Sequence, residues 1–361
     1  MASNTTNVTI ADVALKAGVS KAQAGRALGG YGNVSAAVAQ RVHTAAKQLG
    51  YRPNALARSM STGLSNTIGV IVGDIENPNF SVAIRGMADA ARAGGYRLML
   101  ANSDEQLALE QEAARLMVEN RVDGVIVAPC TENRTEHLAD IVTAGRQLLL
   151  FDRYLSGFEA EAVCADFSGA TRELGERLVA LGHQRVAYIS SRLYDAPHYI
   201  KGDLAGCPVG QRIDALLETL ETQGLESDAL MLRFNGLGRE AVDGIVDELL
   251  HQPAPPTAVV ASDGLIAQHV LMALKERQVA LPQALSVMMY DDFEWASFMS
   301  PAMTVVSQPV YAMGHEAGRR MVARLKGEAP GAVPEFSARL VWRESVAQPR
   351  KNEHDKYTQR S

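Results

Sequence analysis

Hydrogen-bonding side chains stand directly behind apolar runs at several points of this chain. Asp152 follows QLLLF (147–151), Ser262 and Asp263 follow TAVVA (257–261), and Asp291 and Asp292 follow SVMMY (286–290). A carboxylate accepts two hydrogen bonds at once, which suits vicinal hydroxyls, and an aromatic such as Phe80 or Trp295 can pack on the apolar face of a ring. Near the N-terminus, Ser20-Lys21-Ala22-Gln23 opens a short helical stretch that includes Arg26. A guanidinium there can pair bidentately with guanine, and a lysine can reach a guanine or a phosphate. Catalytic chemistry has no comparable footing. The chain has no Walker loop, no GxSxG elbow and no HExxH, and Gly236-Leu237-Gly238 is a lone glycine pair outside a fingerprint context. Asp291 and Asp292 are adjacent, so in a strand they diverge and make no acid–base pair.

The elements that must position these groups fall into two textures. In the first 65 residues, Ile10, Val13, Ala14 and Ala17 repeat at helical spacing behind Thr9, a candidate N-cap. Gly18 breaks that pattern, Ser20 can cap a second helix over 21–28, and Ser35 a third whose apolar face is Val38, Val42, Ala45, Ala46 and Leu49, ending at Gly50. Helix, tight turn, helix and a supporting helix is the helix-turn-helix arrangement. From residue 67, strand-length apolar runs alternate with helical stretches: 68–73, 97–101, 123–128, 147–151, 185–190, 230–234, 257–261 and 286–290. Runs apolar throughout predict parallel strands covered on both faces, and their number predicts two doubly wound lobes with a break near Asp166. Ligands in such sheets bind beyond the carboxyl ends of the strands.

Composition agrees. The 361 residues are 47% hydrophobic and 21% charged, an ordinary globular balance, and no apolar run approaches the roughly 18 residues of a membrane span. MASNTTNVTI lacks the basic and apolar regions of a signal peptide, and Cys130, Cys164 and Cys207 are odd in number and widely spaced, so reduced thiols in a cytoplasmic protein are expected. The net charge of -6 conceals a division: residues 1–65 carry seven basic residues against one acid, Asp12, whereas the remaining 28 basic and 40 acidic residues give -12. A basic head on an acidic body points to a polyanion-binding module joined to something else.

VTIADVALKAGVSKAQAGRAL (8–28), VSAAVAQRVHTAAKQLGYRPNALARSM (34–60) and NTIGVIVGDIENPNF (66–80) resemble the opening of a LacI/GalR-type repressor. The likeness continues in order through VDGVIVAP (122–129), LGHQRVAYIS (181–190), ASDGLIAQHVLMALKE (261–276) and YDDFEWASFMSPAMTVVSQP (290–309), to about residue 346. The resemblance implies an α/β protein: a helix-turn-helix head (1–53), a hinge helix and linker (54–66), and a two-lobed body like periplasmic sugar-binding proteins. The expected lobes are 67–165 with 294–325 and 166–293 with 326–346, followed by a polar tail, 347–361. It further implies a homodimer that binds a pseudo-palindromic double-stranded operator and a small effector, with no cofactor and no membrane.

Residue by residue, the family's base-reading positions fall on Lys21, Ala22 and Arg26, and Thr9, Ser20 and Ser35 suit phosphates as well as capping. Gln23-Ala24-Gly25-Arg26 departs from the family's usual Thr-Val-Ser-Arg, and Gly25 costs the helix about 1 kcal/mol relative to Ala. In the hinge, Asn54, Leu56, Ala57 and Met60 are the expected DNA-binding residues: Asn54 can cap the short helix, Leu56 faces the partner hinge helix, and Met60 stands where the family inserts a leucine wedge into the minor groove. The resemblance places Asn79, Phe80, Asp152, Ser262, Asp291 and Gln308 at the effector; Trp295 is added as an aromatic that can pack on a ring and Arg212 as a substitute for an effector-binding arginine, while Asp263 and Asp292 read as structural. Between SSR (190–192) and Gln211 the chain is longer than the family's loop, and Gly210 falls where an effector-binding arginine often stands. Tyr194, His198, Tyr199 and Lys201 either line the cleft, with room for a disaccharide or an anionic sugar, or belong to a solvent-exposed insertion. Arg212 can serve in place of the missing arginine.

The function implied is a repressor of carbohydrate-utilisation genes controlled by a mono- or disaccharide. A purine- or sugar-phosphate-responsive repressor of the same fold is the alternative, and a periplasmic solute-binding protein is disfavoured by the basic head and the lack of a signal peptide. The tail carries no leucine heptad, which favours a dimer over a tetramer.

Overall fold

The N-terminal helices start and stop where their capping residues stand. The computed structural model describes residues 8–29, 32–51, 64–131, 134–196 and 198–350. In α1 (Ile10–Ala17) Thr9 and Asp12 form a reciprocal capping box, with the Asp12 amide donating to Thr9 Oγ1 at 3.4 Å and the Thr9 amide to Asp12 Oδ2 at 2.8 Å. Gly18 ends the helix at φ 64°, a left-handed conformation that glycine adopts without steric cost. Ser20 and Gln23 make a similar pair at the start of α2 (Lys21–Gly29), at 3.2 and 3.0 Å. Ser35 caps α3 (Ala36–Leu49), which ends at Gly50. Val13, Ala14, Ala17, Ala24, Ala27, Val42, Ala45 and Ala46 form a core of small side chains, so the three helices pack closely.

By its internal contacts the chain divides into two units, Met1–Asn66 with Arg121–Asp123, and the remainder. The second unit holds two sheets. The first contains β1 (Thr67–Val72), β2 (Arg97–Asn102), β3 (Gly124–Val127), β4 (Gln147–Phe151) and β5 (Ala162–Val163), all parallel, in the order β2-β1-β3-β4-β5. The helices α4 (Pro78–Gly94), α5 (Leu107–Glu119) and α6 (Glu136–Thr143) connect its strands. The second sheet contains β6 (Val186–Ile189), β7 (Leu230–Arg233), β8 (Ala258–Ala261), β9 (Ser286–Tyr290), β10 (Thr304–Ser307) and β11 (Arg339–Val341), in the order β11-β10-β9-β8-β6-β7. Among the described strands of this sheet, only β11 runs antiparallel to its neighbour. Its helices are α7 (Ser168–Ala180), α8 (Pro208–Thr222), α9 (Gly238–Leu250), α10 (Gly264–Glu276) and the short α11 (Glu294–Phe298). Strands such as β3, β6 and β8 are buried along their whole length, as the unbroken apolar runs require.

The lobe boundary expected at residues 293/294 is corrected. β10 pairs with β9, and Ala296, Met303 and Val305 pack in the core of the second sheet, so 294–307 belong to the second lobe. The chain crosses back after Ser307. Beyond it, α12 (Val310–Leu325) packs against α4 of the first lobe at glycine contacts. A Cβ on Gly314 would lie 2.1 Å from the Ala83 carbonyl oxygen, and one on Gly86 2.4 Å from that of Tyr311. Only glycine permits that approach. No helix among the described residues is long and apolar enough to cross a membrane.

Candidate effector cleft and DNA-reading helix

In the head, the capping that begins α2 also decides what it presents. Ala24 and Ala27 are buried, which turns Lys21, Ala22 and Arg26 outward, and all three are exposed. Thr9, Ser20 and Ser35, at the three helix starts, are exposed as well. Their hydroxyls are engaged in the caps just described; Thr9 Oγ1 and Ser20 Oγ also donate, to Asp12 Oδ2 at 2.8 Å and to Gln23 Oε1 at 3.2 Å, so each must exchange that partner to donate to a phosphate. The arginine stem lies against Gly32, where a Cβ would meet Arg26 Cδ at 2.9 Å. Asn54, Leu56, Ala57 and Met60 lie outside the described residues.

In the second unit, a cavity of about 1000 Å³ opens where the carboxyl ends of both sheets meet. Asn79, Phe80, Asp152, Arg212, Ser262, Asp291 and Gln308 all line it. Trp295 does not: it is half-buried in the second core, 6.4 Å from the Phe293 ring. The placement of Trp295 at the effector is therefore corrected, because α11 turns its indole into the packing of the second sheet. Asp263 also lines the cavity, but its Oδ1 accepts from the Leu265 and Ile266 amides at 2.9 Å as the N-cap of α10. Asp292 pairs with both oxygens to Arg343 Nη2, at 2.8 and 2.9 Å.

Arg212 sits at the base of the cleft, 5% exposed, with its guanidinium 4.0 Å from the Phe167 ring centroid and 4.3 Å from that of Tyr290. Its Nη1 donates to the Ser262 carbonyl at 2.7 Å, and its Nε is buried without a hydrogen-bond partner among the described residues. Burial works against its charge, but Tyr188 and Asp291 more than restore it. Gln308 Nε2 donates to Asp291 Oδ1 at 3.0 Å. Burial nevertheless pushes the Asp291 carboxyl up to about 6, against the opposing charge of Arg212. Burial raises Asp152 too, opposed by Arg153 and Arg212. Asp104, Glu105, Asp152 and Asp291 hold left-handed backbone at φ 49°, 54°, 65° and 80°, a cost that clusters at functional sites.

Several cavity residues went unread in the sequence. Arg153 donates to both oxygens of Glu105 at 2.7 Å and to the Pro129 carbonyl at 2.7 Å, and Arg192, from the second lobe, donates to the Cys130 carbonyl at 3.0 Å. Each of these stands just behind an apolar run, so an inspection of every strand end would have reached them. The long segment after β6 is another difference. Tyr194, His198, Tyr199 and Lys201 line a separate cavity with Phe234 and not the effector cleft. The segment folds its Leu204 carbonyl to within 1.9 Å of where a Gly210 Cβ would be, so no arginine fits at 210. Burial holds the Cys130 and Cys164 thiols up at about 12, which leaves them protonated. No cluster of potential metal ligands occurs among the described residues.

The described cavity lining counts seven carboxylates against three guanidiniums. It can therefore hold an uncharged, hydroxyl-rich molecule by acceptors from both lobes and donors from Arg212, with Phe80 for an apolar face.

Residues 9–54 match the family described as bacterial regulatory proteins, lacI family, and residues 176–346 match the periplasmic binding protein-like domain. The HTH-type transcriptional regulator GalS of Salmonella typhimurium is 30% identical over 94% of this chain and 97% of its own. The lac repressor dimer bound to operator and the anti-inducer ONPF superimposes with a TM-score of 0.76 at 22% identity, over 94% of this chain and 99% of that one. The transcriptional regulator CelR in complex with cellobiose gives 0.65 at 25% identity, over the same shares.

Proposed function

The chain belongs to the lacI family of bacterial regulatory proteins, and from that premise we propose that a neutral mono- or disaccharide, held between its lobes, sets its affinity for the operators of carbohydrate-utilisation genes. It is a DNA-binding transcriptional regulator and not an enzyme, acting as a dimer on operator DNA. The observation that carries the effector reading is the convergence of Asp152 from the first lobe and Arg212 and Asp291 from the second on one cavity. A ligand that bridges them binds one lobe arrangement better than another, and by that difference shifts the equilibrium between the two.

In this reading Lys21, Ala22 and Arg26 meet base edges while Thr9, Ser20 and Ser35 hold phosphates. The 54–66 segment joins the head, 1–53, to the body, with Asn54, Leu56 and Ala57 along it and Met60 as a minor-groove wedge. Asn79, Phe80, Asp152, Arg212, Ser262, Asp291 and Gln308 hold the sugar. A regulator that reads bacterial operators works in the cytoplasm, where its DNA is.

Selection of bound duplexes from a random pool, repeated with and without a panel of neutral sugars, tests this. The expected result is a pseudo-palindromic site whose recovery one sugar changes. Recovery of sequences without two-fold symmetry, or recovery unaffected by every sugar, would contradict it.

A further inference from the structure

We infer that Glu105 is the protein's own occupant of an anion-binding corner of the cleft, and that its carboxylate restricts the site to uncharged ligands. The inference rests on the sugar-cleft reading above and names what that cleft excludes. Arg153, behind β4, grips both Glu105 oxygens at 2.7 Å in a two-pronged fork, the geometry in which arginine holds carboxylate or phosphate. Arg192, behind β6 in the opposite lobe, brings a second guanidinium to 3.9 Å from Glu105 Oε2. Two guanidiniums from two lobes thus converge on one internal carboxylate at the cavity wall.

That carboxylate is held in place by the backbone around it. Glu105 has φ 54°, and its amide donates to the Gly73 carbonyl at 3.1 Å. At Gly73 a Cβ would stand 2.1 Å from Glu105 Oε1, so any larger residue at 73 would displace the carboxylate. Yet the side chain is not sealed in: 37% of it remains exposed, beside the cavity that it lines. A carboxylate or phosphate on a ligand would need the same donors and would meet the Glu105 charge instead. Removing that charge leaves the Arg153 fork to an incoming anion, with the positive charge of Arg192 beside it.

The test is isothermal titration of the full-length wild type and Glu105→Gln with inorganic phosphate and with glucose 6-phosphate at fixed ionic strength. Glu105→Gln should bind both about 10- to 100-fold more tightly than wild type, the worth of one charge-assisted hydrogen bond or a little more. Adding Arg153→Met should remove the gain. No gain in Glu105→Gln, a gain that survives Arg153→Met, or equal affinity of wild type and variant for glucose 6-phosphate would overturn the inference. Glu105→Ala carries the same expectation should the glutamine variant not fold. The comparison is between anions on two proteins, so it reads independently of whether a neutral sugar proves to be the effector.

Discussion

Replacing Asp291 by Asn should stabilise the protein while weakening its response to effector. The carboxyl stands at the end of β9 with only 2% exposure, and burial lifts its pKa from the 3.8 of a solvated aspartate to about 6. Because the folded-state value lies above the unfolded one, the folded protein holds this proton more tightly. The associated stability is complete below about pH 4 and is lost as the pH rises through about 6. At 1.36 kcal/mol per pK unit, the buried charge costs about 3 kcal/mol at pH 7.5 and about 1 kcal/mol at pH 4.5. Asparagine keeps the shape, tolerates φ 80° and still offers Gln308 an acceptor, but carries no charge. Thermal unfolding of wild type and variant at the two pH values reads the difference. At roughly 2 °C per kcal/mol for a body of this size, the gain should be about 6 °C at pH 7.5 and about 2 °C at pH 4.5. No gain at pH 7.5, or equal gains at both, would refute the claim that a desolvated charge is kept here at the expense of stability.

Arg26→Ala should weaken operator binding by about 1–3 kcal/mol and relax preference at one base position per half-site, as read by competition with single-base operator variants; uniform weakening across the variants would assign Arg26 to the backbone. Asp152→Ala should abolish the effector response in a DNA-binding titration while sparing operator affinity without effector, and an unchanged response would remove Asp152 from the site. Deleting residues 1–65 should abolish operator binding and leave calorimetric effector binding in place, whereas loss of both would contradict the division of labour between head and body.

Local signals made the head readable in sequence. Thr9, Ser20 and Ser35 cap three helices at their expected starts, and Gly18 and Gly50 close two of them in left-handed backbone. These features act over three or four residues, which is the range at which sequence spacing speaks. Six of the strands behind the eight apolar runs were legible because burial on both faces demands unbroken apolar sequence, whereas β2 and β7, at sheet edges and only partly buried, showed the apolar run without that burial. The other three were not: β5 and β11 have only two and three residues, and in β10 a single Val-Val pair stands between Thr304 and Ser307. Signals so brief leave pairing to neighbours far away in the chain, and missing β10 misplaced the lobe crossing. The strand-end rule marked where to look in the cleft, and the family resemblance picked out Asp152, Ser262 and Asp291 there. What the rule cannot supply is partnership: Glu105 and Arg153 are 48 residues apart, and nothing local tells that they neutralise each other. Trp295 erred for a similar reason, since the direction of a side chain on a five-residue helix depends on the core it meets.

The central claim is that an uncharged sugar occupies the cleft, and a thermal-shift screen of the full chain tests it most directly. The panel is neutral mono- and disaccharides beside sugar phosphates and purines. A neutral sugar at 100 times its dissociation constant should add about 2.7 kcal/mol of stability and raise the melting temperature accordingly. Stabilisation by phosphates or purines alone would contradict the account.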